Sequence, residues 1–86
     1  MEPLKVSSHS QVSSLAGAVA GIIREGRPVE IHAIGAPAVH QTVKAIVTAN
    51  KFLRAEEIRI AFTVRSEKTE IVGQIRTMII FTVDRL

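Results

Sequence analysis

The sequence contains no cysteine, no tryptophan and no tyrosine. Without cysteine there is no disulfide framework and no thiolate metal site, and the chain fits a reducing, cytoplasmic setting. With phenylalanine as its only aromatic residue, present three times, the chain has no row of platforms on which single-stranded bases could stack. Long apolar runs are also missing. The small-and-apolar stretch from Ser14 to Ile23 falls well short of the ~20 residues that span a bilayer. It follows a polar segment rather than the basic start of a secretory signal, so it reads as a core helix and no membrane association is expected.

Chemical motifs are sparse as well. There is no G-x-S-x-G elbow, no phosphate-binding P-loop, no G-x-G-x-x-G and no H-E-x-x-H. His9, His32 and His40 lack close metal-ligand spacing. The serines around His9 suit helix capping, and the adjacent Glu56 and Glu57 suit a solvated turn. These absences point away from an enzyme, a cofactor or a small-molecule substrate.

What is present describes one small domain over residues 1–86, with 47% apolar and 22% charged residues. A chain of this size folds with little stability to spare, so self-association would help it. Eleven Lys and Arg against eight Asp and Glu give a net charge of +3, a mild bias toward anionic partners.

Leu4–Ser7 alternates like a short strand. Val12, Leu15, Val19, Ile22 and Ile23 then fall on one helical stripe, closed by Gly26 and Pro28. Gly17 and Gly21 lie opposite that stripe, with Ala20 and Arg24 near them. Glycine in a helix interior costs about 1 kcal/mol relative to alanine, so two of them four residues apart point to a close approach by another surface. That surface is either the second helix of the same domain or a second subunit.

Val29–Ile34 reads as the second strand, with Glu30 and His32 on one face, where His32 reads as a partly buried structural histidine open to ligation, proton transfer or pairing with Glu30. Gly35 stops it, and a second helix follows from about Ala36 to Lys51, with Pro37 tolerated in its first turn. One flank of this helix carries Val39, Val43, Ile46 and Val47; the other carries His40, Gln41, Lys44, Thr48 and Lys51. The Gly35 junction also places free N–H groups and the positive end of the helix dipole at a sheet edge, where an anion would be at home.

Ile58–Arg65 alternates, predicting Ile58, Ile60, Phe62 and Val64 inward. Ser66–Ile75 reads as a connection too long for a tight hairpin turn, one that could project as an arm flanked by Arg65, Lys68 and Arg76. Arg76–Asp84 is the last strand, with Phe81 inward. The predicted order is β-α-β-α-β-β, an α/β two-layer sandwich.

Several of these segments together resemble the stage V sporulation protein S family: Leu4-Lys5-Val6-Ser7, Ser14-Leu15-Ala16-Gly17-Ala18-Val19-Ala20-Gly21, Glu30-Ile31-His32-Ala33-Ile34-Gly35-Ala36 and Gln41-Thr42-Val43-Lys44-Ala45. That family is similar in fold to the Alba chromatin proteins, which bind DNA and RNA as dimers. The resemblance therefore implies an Alba-like domain, a homodimer or tetramer, a sporulation or developmental role and nucleic-acid binding. Alba proteins carry a lysine pair after the first strand and a basic residue entering the second helix; this sequence has Ser8-His9 and Ala36-Pro37 there.

The site residues expected from this reading are Lys44 and Lys51, with His40 extending their stripe, and Lys5, Arg65, Lys68 and Arg76 at the periphery. All would touch phosphate and none would do chemistry. Gly17 and Gly21 are the expected oligomer contact. The competing reading is a regulatory or scaffold protein that acts through protein contacts alone.

Overall fold

The computed structural model describes residues 2–86. Its elements run β1 (Leu4–Val6), α1 (Val12–Arg24), β2 (Val29–Ile34), α2 (Ala36–Arg54), β3 (Ile60–Ile71) and β4 (Gln74–Arg85). The four strands form one sheet in the order β1-β2-β4-β3, parallel between β1 and β2 and antiparallel elsewhere. Both helices cover one face, giving the α/β two-layer sandwich expected from the alternating pattern.

Strand register sorts every side chain to a face. Leu4, Ile31, Phe81 and Val64 form a row across all four strands on the helix side. The next row, Lys5, His32, Ile80 and Arg65, points the other way. The core lies between sheet and helices, where Val29, Ile31, Ala33, Phe81 and Val83 meet Val19 and Ile23 of α1 and Ile46 and Leu53 of α2.

The helices meet through small residues. Ala16 and Ala20 of α1 and Ala38, Thr42, Ala45 and Ala49 of α2 are all buried. Short side chains let the two backbones approach closely. Thr42 is the buried polar residue of this seam, and its hydroxyl donates to the Ala38 carbonyl at 2.9 Å, so burial leaves it satisfied. This corrects two expectations. Ala20 belongs to the core rather than to the open face, and Gly17 and Gly21 do not pack on α2, because a β-carbon at either would meet nothing within 4 Å.

Both helices end in the same way. Arg27 N–H bonds the Ile22 carbonyl and Gly26 N–H the Ile23 carbonyl, with Gly26 at φ 81°. After α2 the same pair of bonds runs from Ile58 to Leu53 and from Glu57 to Arg54, with Glu57 at φ 60°. Glutamate in the place of the usual glycine hid this stop, so α2 runs on to Arg54 rather than ending near Lys51.

The largest departure from expectation is the last hairpin. The expected Ser66–Ile75 connection is strand: β3 continues to Ile71, and Val72 and Gly73 alone turn the chain, at φ 49° and 75°. Positive φ at both central residues is the mark of a type I′ turn, whose twist suits the strands it joins. Beyond the Ile34–Met78 pair, β4 has left β2, so residues 68–71 and 74–77 pair only with each other. An arm does project, as a two-stranded ribbon, and the molecule measures 44 × 21 × 17 Å.

Candidate nucleic-acid interface

Of the eleven Lys and Arg side chains, Arg24, Arg27 and Arg65 pair with carboxylates. The other eight make no ion pair among the described residues, whereas half of the eight carboxylates are engaged. Eight cations against four carboxylates thus stay free to meet an anionic partner, while the net charge remains +3.

His40, Lys44 and Lys51 are all exposed on the side of α2 turned away from the core. Their helical spacing places them in one stripe along the outside of the helix layer. Neither lysine meets a carboxylate within salt-bridge distance among the described residues. Gln41, on the same flank, turns inward instead and donates to the Ser10 carbonyl at 2.8 Å.

At the start of α2, Gly35 takes φ 90° and caps the helix without a side-chain bond, which leaves first-turn N–H groups uncommitted. Arg76 reaches the same place, since a β-carbon on Gly35 would lie 3.9 Å from one of its guanidinium nitrogens. A cation and the positive end of a helix dipole therefore converge there, an arrangement that favours a bound anion.

The remaining expected residues sit elsewhere. Lys5 and Arg65 face away from the helices, in the row with His32 and Ile80. Arg65 is engaged there by Glu30 at 3.3 Å and Glu67 at 3.4 Å. Glu30 also bonds His32, 2.9 Å from its Nε2, which selects pairing among the roles open to that histidine. His32 first and Arg65 second hold the Glu30 carboxyl below its ordinary value, against partial desolvation. Lys68 stands on the ribbon and donates to the Thr77 hydroxyl at 2.9 Å. Lys44 and Lys51 therefore do not share one patch with Lys5 and Arg65.

Two cations escaped the expectations drawn from sequence. Arg54, in the last turn of α2, and Arg59, beyond the following turn, line one cleft with Asn50 and Ile60. Extending α2 by one turn would have placed Arg54 after Lys51, and the signal was lost with the helix end.

Beside the cationic stripe runs an apolar seam. Val43 and Val47, expected to be core-facing, are exposed, Val47 by 50%. Phe62 and Val64, expected inward, are 41% and 57% exposed. They do face the helix side of the sheet, and the Phe62 ring lies 5.4 Å from that of Phe81. However, β3 is the outermost strand, and α2 does not reach far enough to cover it.

Among the described residues no three His, Asp or Glu side chains converge as a metal-ligand group, and no helix is long and apolar enough to cross a membrane. The family model for stage V sporulation protein S (SpoVS) matches residues 2–85. The chain belongs to the stage V sporulation protein S family. Membership links it to sporulation, and the SpoVS match covers both helices and all four strands, so the α2 stripe and the projecting ribbon both lie inside the family domain.

Proposed function

We propose that this SpoVS-family protein is a non-enzymatic nucleic-acid-binding protein, a homo-oligomer that grips the phosphate backbone with low sequence specificity in a sporulation or developmental programme. The observation that carries this reading is the stripe of His40, Lys44 and Lys51, exposed and, for both lysines, unpaired among the described residues. Arg76 beside the uncapped start of α2 supports it with a second place for phosphate. With no tryptophan or tyrosine, the two exposed rings, Phe52 and Phe62, are too few for a row of stacking platforms, which favours contacts to phosphate over contacts to bases.

The oligomer follows from the seam of Val43, Val47, Phe62 and Val64, which a second copy would cover. Because this seam adjoins the cationic stripe on α2, pairing two copies there brings two stripes side by side. Gly17 and Gly21, open in the protomer, offer a flat face for a further contact in a tetramer. The competing scaffold reading draws on the unpaired outer edge of β3, which could accept a strand from a protein partner.

Titration of duplex DNA and RNA at several salt concentrations decides between them. Phosphate binding gives a steep salt slope, and replacing both Lys44 and Lys51 by alanine lowers that slope by about two for each protomer engaged. No binding at low salt with micromolar protein, or a slope unchanged in the double variant, would overturn the proposal.

A further inference from the structure

The end of the ribbon combines three features that the protomer itself does not use. Val72 sits at φ 49°, a conformation that a β-branched side chain resists and that asparagine or aspartate accepts readily. It is 97% exposed, so no contact within the chain offsets the strain. Ile75 beside it is 66% exposed, and the smaller exposed area of Ile71 completes an aliphatic tip. Backbone strain held without local benefit points to a task at that position.

The charges behind the tip identify the partner. Lys68 and Arg76 lie four residues back from Val72, one on each strand and on opposite faces of the ribbon, with the Arg76 guanidinium beside Gly35, and neither is paired with a carboxylate among the described residues. Glu70, opposite Ile75, is the one acidic residue among residues 68–77. An aliphatic point with unpaired cations set back along both of its strands matches a groove bordered by phosphates. Aliphatic side chains are known to enter such grooves and part neighbouring base pairs. A bilayer anchor would be better served by aromatic residues, of which the tip has none.

We propose that Val72, backed by Ile75, is a wedge that enters a groove of duplex DNA and unstacks a base step, while Lys68 and Arg76, set further back, hold phosphates along the same duplex. This rests on the phosphate-binding reading and deepens it: the helix stripe supplies affinity, and the ribbon tip deforms the bound duplex. A-form RNA, whose deep, narrow groove excludes side chains, is the poorer substrate for this step.

The test uses the full chain, a DNA duplex carrying a fluorescent base analogue that brightens on unstacking, and the same duplex end-labelled to report bending. Wild-type protein is expected to brighten the analogue and shorten the end-to-end distance. Val72→Asn, which relieves the strained turn, is expected to melt at a higher temperature and keep the salt slope, yet lose both signals. Ile75→Thr, compatible with the strand, provides a second variant, in which both signals weaken.

If Val72→Asn is more stable and keeps both signals, the wedge is wrong while phosphate binding stands. The wedge fails in the same way if wild type binds with a steep salt slope and never unstacks the duplex. Wild type that binds no duplex overturns the underlying reading and the wedge together. Capture by phosphatidylglycerol vesicles that is lost in Val72→Asn, without any duplex signal, would assign the tip to a lipid surface instead.

Discussion

The Arg24 guanidinium holds both oxygens of Glu56, with Nε at 3.0 and 2.9 Å and Nη2 at 2.6 Å, tying the end of α1 to the turn that follows α2. A fork of this kind fixes direction as well as distance. The hydrogen bond from Arg24, reinforced by its charge, holds the Glu56 carboxyl below its ordinary value of 4.5, against desolvation.

Stability should accordingly depend on acid in a defined direction. Glu56 and Glu30 are both held below their ordinary values in the folded chain, so each contributes stability above the unfolded value, and that contribution is lost as pH falls through the folded value. Urea unfolding followed downward from about pH 5 should show stability declining. Glu56→Gln should be less stable than wild type at neutral pH and should show a shallower decline. Parallel curves for the two proteins would mean that the Arg24 fork contributes nothing.

The helix seam and the glycine face make opposite predictions for neighbouring residues. Ala20→Leu forces volume into a filled contact and should cost about 1–3 kcal/mol or more. Gly21→Ala meets open space in a helix interior and should gain about 0.5–1 kcal/mol. Chemical denaturation measures both. Gly21→Leu should still fold, and a solution mass equal to that of wild type would show that this face makes no subunit contact.

A separate pair of variants tests the apolar seam. Val47→Glu and Phe62→Ser place polar groups where a second copy is proposed to sit, with little effect expected on the protomer core. Light scattering should report a smaller assembly for each, and an unchanged mass would remove the seam from the oligomer.

Cations on the sheet should not be equivalent. Arg76→Ala should lower the salt slope for duplex binding by about one, since it deletes one phosphate contact. Arg65→Ala should leave the slope nearly unchanged, because Glu30 and Glu67 already occupy that guanidinium. The reverse result would place the phosphate contact at Arg65 rather than at Arg76.

Element order was legible because the local signals agree: alternation in β2, a stripe in α1, Gly26 and Pro28 at its end, and Gly35 before α2. The ends that went astray lacked such signals. Val72 and Glu57 occupy positive φ, where glycine or asparagine would have advertised a turn. Periodicity grouped Val43, Val47, Phe62 and Val64 on apolar faces, but it carries no information about how far a neighbouring element extends over them. The helix seam escaped notice because alanine contributes little to an apolar stripe, although its small size is what admits a close neighbour. In the site, the lysine stripe followed from spacing along one helix. The approach of Arg76 to Gly35 joins residues far apart in sequence, and only the folded sheet brings them together.

The ribbon is one end of β4, which without a break becomes the central strand carrying Ile80, Phe81 and Val83. Tip and core therefore share one continuous strand, and a ligand seated at Val72 is joined by unbroken backbone to Phe81 and Val83, which pack beneath the helices.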